Sequence, residues 1–183
     1  ISCFGVMTDD TVESIVLKAA EVALQNKVGG GSSGSFQNVR PRGSNIGEDG
    51  FSNGSVSMMS IYQEVSNVIS QPNRRGHFSA TQDIEHGDAD EFMEARTDGN
   101  KLQDISTGVK ISDSFMEKVL NGDEEASRKI RRLVRAKFET GFHYCFFTDN
   151  VNNNTVDVYK EKGKVINHSN MCQEIALPNS AEE

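Results

Sequence analysis

The sequence lacks several things that would point to common classes of protein. No stretch of its 183 residues approaches the roughly 20 apolar residues of a membrane-spanning helix. No signal-peptide pattern opens it. There is no excess of positive charge, since 19 Lys and Arg stand against 27 Asp and Glu for a net charge of -8. Nucleic-acid binders are usually basic, so neither nucleic acid nor membrane is an expected partner, although local arginines can still hold phosphate. Cysteine is scarce. Cys3, Cys145 and Cys172 are odd in number and far apart, which does not suit a disulfide scaffold, and no CxxC or Cys/His spacing marks a zinc site. No metal ligands are assigned. The expected setting is reducing and cytoplasmic, where cysteine chemistry is catalytic or redox-cycling.

What is present suits one domain or a piece of a larger one: 36% hydrophobic and 25% charged residues are ordinary for a packed, soluble fold. The chain opens at Ile1 in what reads as a strand and stops at Ala181-Glu182-Glu183 just after an apolar segment. Neither end reads as a domain end, and an internal piece is the expectation.

The apolar pattern predicts a strand over 1–7 and a helix over about 11–27, with Val12, Ile15, Val16, Ala19, Val22 and Ala23 on one face. Asp9-Asp10-Thr11 offers its N-cap, with Glu13 three after Asp10 as in a capping box. Residues 29–54 hold eight of the sixteen glycines, with serines between them. Such a composition reads either as a flexible linker or, because Arg40 and Arg42 are embedded in it, as a loop that folds around phosphate. A second helix is expected over 56–70, capped by Ser55 or Ser57, then a basic loop at 74–77 and a short strand over 78–84. Strands are expected at 108–111 and 144–147. Helices are expected at 88–95, from Ser112 to 120, and at 123–139, where the Arg/Lys run reads as a solvated face. Residues 150–154 read as a turn-rich loop. Alternating strands and helices give an α/β class with parallel strands.

The chemistry concentrates in Ser169-Asn170-Met171-Cys172-Gln173-Glu174-Ile175-Ala176-Leu177-Pro178. Asn170, Cys172 and Glu174 alternate, so an extended loop would point amide, thiol and carboxylate to one side. That is a plausible reaction centre; a buried cysteine flanked by solvated polar residues would leave the same pattern.

The segment SNMCQEIALP resembles the SNLCxEIxLP signature of the ribonucleotide reductase large subunit. Ser2-Cys3 resembles that family's SC at the end of its first barrel strand, and Asp10 to Ile15 its D-S-L-x-S-I helix start. Gly29-Gly30-Gly31 with Val39 to Ser44 resembles its GGG…R-x-x-G-S segment. Arg74-Arg75-Gly76 resembles its second effector loop, and Gly141, Tyr144, Phe147, Asp149 and Asn152 its T-G-x-P-Y-x-x-F-x-D-x-x-N block. The matches run in family order over nearly the whole chain.

The resemblance implies a fold, a partial ten-stranded α/β barrel consisting of its first half plus a finger loop. Residues 1–80 would hold the first strand, the dimer helices and the effector loops; 81–165 further barrel strands and helices; 166–178 the finger loop. It implies an enzyme reducing ribonucleotides to deoxyribonucleotides. Cys172, as a thiyl radical, would abstract the ribose 3′-hydrogen, with Glu174 as general base, Asn170 fixing the substrate, Cys3 in the redox pair and Ser2 at the substrate. Asp10, Thr11 and Val12 would contact a deoxynucleoside triphosphate or ATP effector, Arg40 its phosphates, and Arg75 would relay its identity.

No cofactor is bound by this segment itself. The radical would come from a dimetal small subunit, the favoured source, or from adenosylcobalamin. Further implied partners are the remaining part of the catalytic subunit, thioredoxin or glutaredoxin, and a second copy in a homodimer of the complete subunit. The separation of Cys3 from Cys172 is shorter than in many members, with the loss expected between about 80 and 165. Cys145, inside an apolar strand, reads as inert. The reading from another class is a non-catalytic nucleotide-binding and dimerisation module, or an inactive fragment.

Overall fold

The computed structural model describes residues 3–48, 50–69 and 76–179. In chain order the elements are β1 (Cys3–Met7), α1 (Val12–Lys27), β2 (Gly31–Ser35), β3 (Asn45–Ile46), β4 (Gly50–Phe51), α2 (Ser55–Val68), β5 (His77–Asp83), α3 (Ala89–Glu94), β6 (Ser106–Ile111), α4 (Asp113–Leu120), α5 (Glu124–Thr140), β7 (Tyr144–Phe147), α6 (Thr148–Asn153) and α7 (Asp157–Glu161). Five strands form one parallel sheet in the order β1-β2-β5-β6-β7, and β3 and β4 form a small antiparallel ribbon. Strand order follows chain order, with helical crossovers between neighbours, as half of an α/β barrel requires.

Register separates the two faces of the sheet. Cross-strand rows such as Val6, Gly34, Ala80 and Thr107 alternate with rows such as Gly5, Ser33, Ser79 and Ser106. The first kind faces the helices. There Val6, Phe78, Ala80 and Val109 join Ile15, Ala19 and Val22 of α1, Met59 and Tyr62 of α2, and Leu133 of α5 in one buried core. Phe36, Tyr62 and Phe78 pack ring to ring at centroid distances of 5.0 to 6.3 Å. The Tyr62 hydroxyl donates to the Ile15 carbonyl at 2.7 Å, which ties α2 to α1. The second face is mostly glycine, serine and threonine, with buried Met7, Lys110 and Phe146 towards its C-terminal end, and a loop lies across it.

The β2 strand departs from the sequence expectation. Gly31-Ser32-Ser33-Gly34-Ser35 reads as linker, yet it is an inner strand paired on both sides. Small side chains are what the position demands. A Cβ on Gly34 would lie 2.7 Å from the Phe78 ring and 3.2 Å from Phe36. The linker reading of 29–54 therefore fails for 31–35, and the remainder carries the β3–β4 ribbon. Residues 150–154, expected as a loop, fall partly in α6, and α7 follows.

Helix α1 is narrower in its buried stripe than the pattern suggests. Ile15, Ala19, Val22 and Asn26 are buried, whereas Val12 is 71% and Val16 53% exposed. Its N-cap is Thr11, whose Oγ1 accepts from Ser14 N at 3.1 Å, while Ser14 Oγ accepts from Asp9 N at 3.0 Å. Glu13 does not close the box, and Asp10 is left for another partner. The N-cap of α2 is Gly54 rather than Ser55 or Ser57; a remote carboxylate, Asp88, accepts the Ser55 N–H at 2.8 Å. Ser112 caps α4 and Asp123 caps α5. The cations of α5 do more than meet solvent: Arg128 and Arg132 pair with Asp90 and Glu94 of α3. Among the described residues, no helix is long and apolar enough to cross a membrane.

Candidate functional site: a loop laid in the trough of the sheet

After α7 the chain turns back and runs over the glycine- and serine-lined face. Asn152 fixes the entry, donating to the Ile166 carbonyl at 3.0 Å and accepting the Ile166 N–H at 2.9 Å. His168 and Ser169 are buried against β1 and β2. Ser33 Oγ donates to the Ser169 carbonyl at 2.7 Å. A Cβ on Gly5 would lie 3.2 Å from His168 Nε2, and one on Gly108 would lie 2.7 Å from Gln173 Nε2. The loop fits because the rows beneath it carry so little side chain.

Within the loop the chain turns; it is not extended. Gln173 N donates to Asn170 O at 3.0 Å, Asn170 N donates to Ile175 O at 3.2 Å, and Gln173 has φ 64°. The premise that alternation alone would set Asn170, Cys172 and Glu174 on one side therefore does not hold. Asn170 turns inward. Its Oδ1 accepts from Ile175 N at 2.9 Å and from Ser169 Oγ at 3.1 Å. Its Nδ2 is buried without a partner among the described residues, as is Gln173 Nε2. Unpaired buried donors are costly, and this turn holds two of them. Cys172 and Glu174 are exposed at the turn.

Cys3, at the first position of β1, comes to the same place. The Cys172 thiol is pushed above its ordinary pKa, first by desolvation, then by the negative charge of Glu174, and last by its neighbour Cys3. The structure thus gathers Cys172, Glu174 and Cys3, with Asn170 beneath them. An upward shift keeps Cys172 a thiol at neutral pH, a form that carries an S–H bond and is a poor nucleophile. Beside them opens a cavity of about 620 Å³ lined by Glu174, Ala176, Leu177, Ile166, Tyr159 and Asn150. Cys145 is elsewhere, on β7 and packed against the helix-side core. Ser2 and Arg75 lie outside the described residues.

His168 was not legible as a site residue. Its Nδ1 accepts from Asn179 Nδ2 at 2.9 Å, and its Nε2 faces the Ser33 backbone without reaching hydrogen-bond geometry. Burial, with Lys110 nearby, lowers its pKa to about 4, so it stays neutral. Small residues at alternate positions of β1 and β2 were the signal that something packs there.

The second expected group assembles at the N-terminus of α1. Asp10 and Arg40 meet directly: Arg40 N donates to Asp10 Oδ1 at 2.9 Å and Arg40 Nε to Oδ2 at 2.5 Å. Arg40 Nη1 donates to Asn45 O at 2.9 Å, and Nη2 makes no hydrogen bond among the described residues. Thr11 and Val12 are exposed beside this pair, with Thr11 Oγ1 engaged in the cap. Among the described residues no group of three or more His, Cys, Asp or Glu is placed to hold a metal ion.

Comparisons with known proteins agree with this architecture. The family model described as ribonucleotide reductase, barrel domain, matches residues 1–127 and 123–183. The solved structure of the Actinobacillus ureae class Id ribonucleotide reductase alpha subunit superposes with a TM-score of 0.91 at 40% identity, over 100% of this chain and 34% of that one. A putative ribonucleoside-diphosphate reductase large subunit of Frog virus 3 is 31% identical over 202 residues, which is 100% of this chain and 35% of the viral one. That alignment is longer than the chain's 183 residues, so the viral protein carries insertions relative to it. A vitamin B12-dependent ribonucleoside-diphosphate reductase of Thermoplasma acidophilum is 31% identical over 144 residues, 74% of this chain and 19% of the archaeal one. The chain therefore spans about a third or less of the length of these relatives. Five parallel strands in barrel order, a loop threaded through their small-residue face and a family match over the whole length lead to one conclusion: the chain belongs to the ribonucleotide reductase large-subunit family, as a segment of its barrel domain.

Proposed function

We propose that this segment carries the thiyl-radical centre of a ribonucleotide reductase, which converts ribonucleotides to deoxyribonucleotides. The observation that supports it best is that Cys172 and Glu174 stand on one turn of a loop fixed to β2 from below, with Cys3 at the start of β1 close enough to act on the Cys172 thiol. The radical would be supplied from outside this segment, and Cys172, to give up the hydrogen atom of its S–H, has to be the protonated thiol that its surroundings favour. The Cys172 thiyl then takes the 3′-hydrogen of the ribose, Glu174 accepts the 3′-hydroxyl proton, the 2′-hydroxyl leaves as water, and after the reduction Cys172 returns a hydrogen atom to C3′ as Glu174 returns its proton, which restores the thiyl. Two electrons and two protons enter from Cys3 and a second thiol outside this chain, which become a disulfide. Thioredoxin or glutaredoxin re-reduces that disulfide. Cys145, held in the core, is not the second thiol. Asn170 Nδ2 is the donor that fixes the substrate, and a small misplacement there is expensive. Relatives of both kinds leave the radical source open between a dimetal small subunit and adenosylcobalamin.

Asp10, Thr11, Val12 and Arg40 form, in this reading, the site of a deoxynucleotide effector, with Arg40 Nη2, unpaired among the described residues, as the donor to phosphate. The exposed apolar side chains of α1 and α2, such as Leu17 and Leu24 of α1 and Val68 of α2, then meet a second copy of the subunit. Residues 1–80, 81–165 and 166–178 divide into effector and dimer region, barrel wall and finger loop. The test is Cys172→Ser in the complete catalytic subunit with its radical source. Turnover should vanish while effector binding persists; retained turnover overturns the reading in favour of a non-catalytic nucleotide-binding module.

A further inference from the structure

Three residues of the 36–44 loop, Val39, Pro41 and Arg42, are gripped by one short turn between β5 and α3. The Val39 carbonyl accepts from His86 Nε2 at 2.7 Å. The Asp88 N–H donates to His86 Nδ1 at 3.0 Å. A backbone N–H can only donate, so Nδ1 is the acceptor, Nε2 carries the hydrogen, and the ring is the neutral tautomer with both nitrogens used. Pro41 sits over Gly87, where a Cβ would lie 2.7 Å from both its Cβ and its Cγ. Arg42 N donates to Asp88 Oδ1 at 2.8 Å, and the other carboxylate oxygen, Oδ2, takes Ser55 N at 2.8 Å and Ser55 Oγ at 3.0 Å. The Arg42 guanidinium is bidentate on Glu91 of α3, at 2.8 and 2.7 Å. Arg40 stands in the middle of this run, itself held by Asp10 and Asn45.

We propose that the His86-Gly87-Asp88 turn is a positioning clamp for Arg40, setting its Nη2 for the phosphate of an anionic nucleotide effector. The proposal rests on the reading of Arg40 as an effector ligand. An arginine on a loose glycine-rich loop loses backbone and side-chain freedom when it binds phosphate; one whose neighbours are already fixed loses little. The clamp supplies that fixation from β5, the strand that begins in the expected second effector loop. A residue holding Val39 and Asp88 together thus joins the end of one effector loop's strand to the other loop.

The experiment is binding of deoxyadenosine triphosphate to the complete catalytic subunit, with thermal melting of each variant alongside. His86→Leu removes the donor to Val39 and is expected to weaken binding about tenfold, about 1.4 kcal/mol. His86→Gln, which can still donate, should recover most of it. Gly87→Ala, at an exposed position, should weaken binding by pushing Pro41 away while leaving the His86 and Asp88 side chains in place, and it is a second variant where His86→Leu does not fold. The deciding measurement is the pair with Arg40→Ala: if the clamp acts through Arg40, His86→Leu or Gly87→Ala costs nothing further in that background. An equal loss with and without Arg40 overturns the proposal, as does unchanged binding in both clamp variants. If Arg40→Ala itself binds as wild type does, the effector reading of Arg40 falls, and the clamp's role falls with it.

Discussion

Ser33 and Ser169 are 136 residues apart in the chain and joined at 2.7 Å, hydroxyl to carbonyl, on the inner face of the sheet. That bond fixes the height at which the loop carrying Cys172 crosses β2. Ser33→Ala leaves the Ser169 carbonyl without this donor and should cost about 1 kcal/mol in denaturant unfolding. The effect on kcat should be larger than that on stability, because loop placement governs the reacting geometry, where a 1 Å error is worth about 10²-fold. Equal small losses in both would show that the loop finds its place without Ser33.

The raised Cys172 thiol gives a chemical prediction. Although exposed, Cys172 should react with iodoacetamide at pH 8 more slowly than a free cysteine in the same buffer, since only the thiolate attacks. Glu174→Gln removes a charge that helps hold the proton on and should speed the reaction. Peptide mass spectrometry separates Cys172 from Cys3 and Cys145. A Cys172 that alkylates faster than free cysteine would contradict the electrostatics described.

Acid should weaken the fold before the carboxylates protonate. His143 and His168 are buried neutral, each with its pKa lowered to about 4, chiefly by burial. In the unfolded chain both titrate near 6.5. Between those values the unfolded state binds protons that the folded state refuses, so stability falls as pH drops from about 6.5 towards 4, by up to about 1.4 kcal/mol per pH unit for each histidine. Urea midpoints measured from pH 7 to 4.5 should show that slope, and His168→Gln should reduce it. A flat profile over this range would mean that neither imidazole is held neutral.

Much of this architecture was legible in the residues. The cap at Ser112, the start of α5 at Asp123 and the dense apolar strand at 144–147 are local signals, and local physics decides them. The segment 31–35 was not legible because glycine and serine have low strand propensity; they form a strand there only because Phe36 and Phe78 on one face and the loop on the other leave no room for anything larger. The site followed the same division. The amide, thiol and carboxylate of the loop could be named from the sequence, but their arrangement depends on Gln173 entering the left-handed region and turning Asn170 inward. Asp10 as a partner of Arg40, and Asp88 as the cap of α2, join residues 30 and 33 apart, which no local pattern announces.

The hydroxyl-lined trough also has a meaning for how the molecule is made. The loop is synthesised after every strand it rests on, so the sheet must wait with one face uncovered, and contacts of such long separation form late. An oily face in that interval would invite aggregation. Ser33, Ser79, Thr81 and Ser106 can be wetted while they wait, and the water they hold is given up when the loop arrives. The small polar residues that make room for the loop are also ones that water can cover while that face stands open.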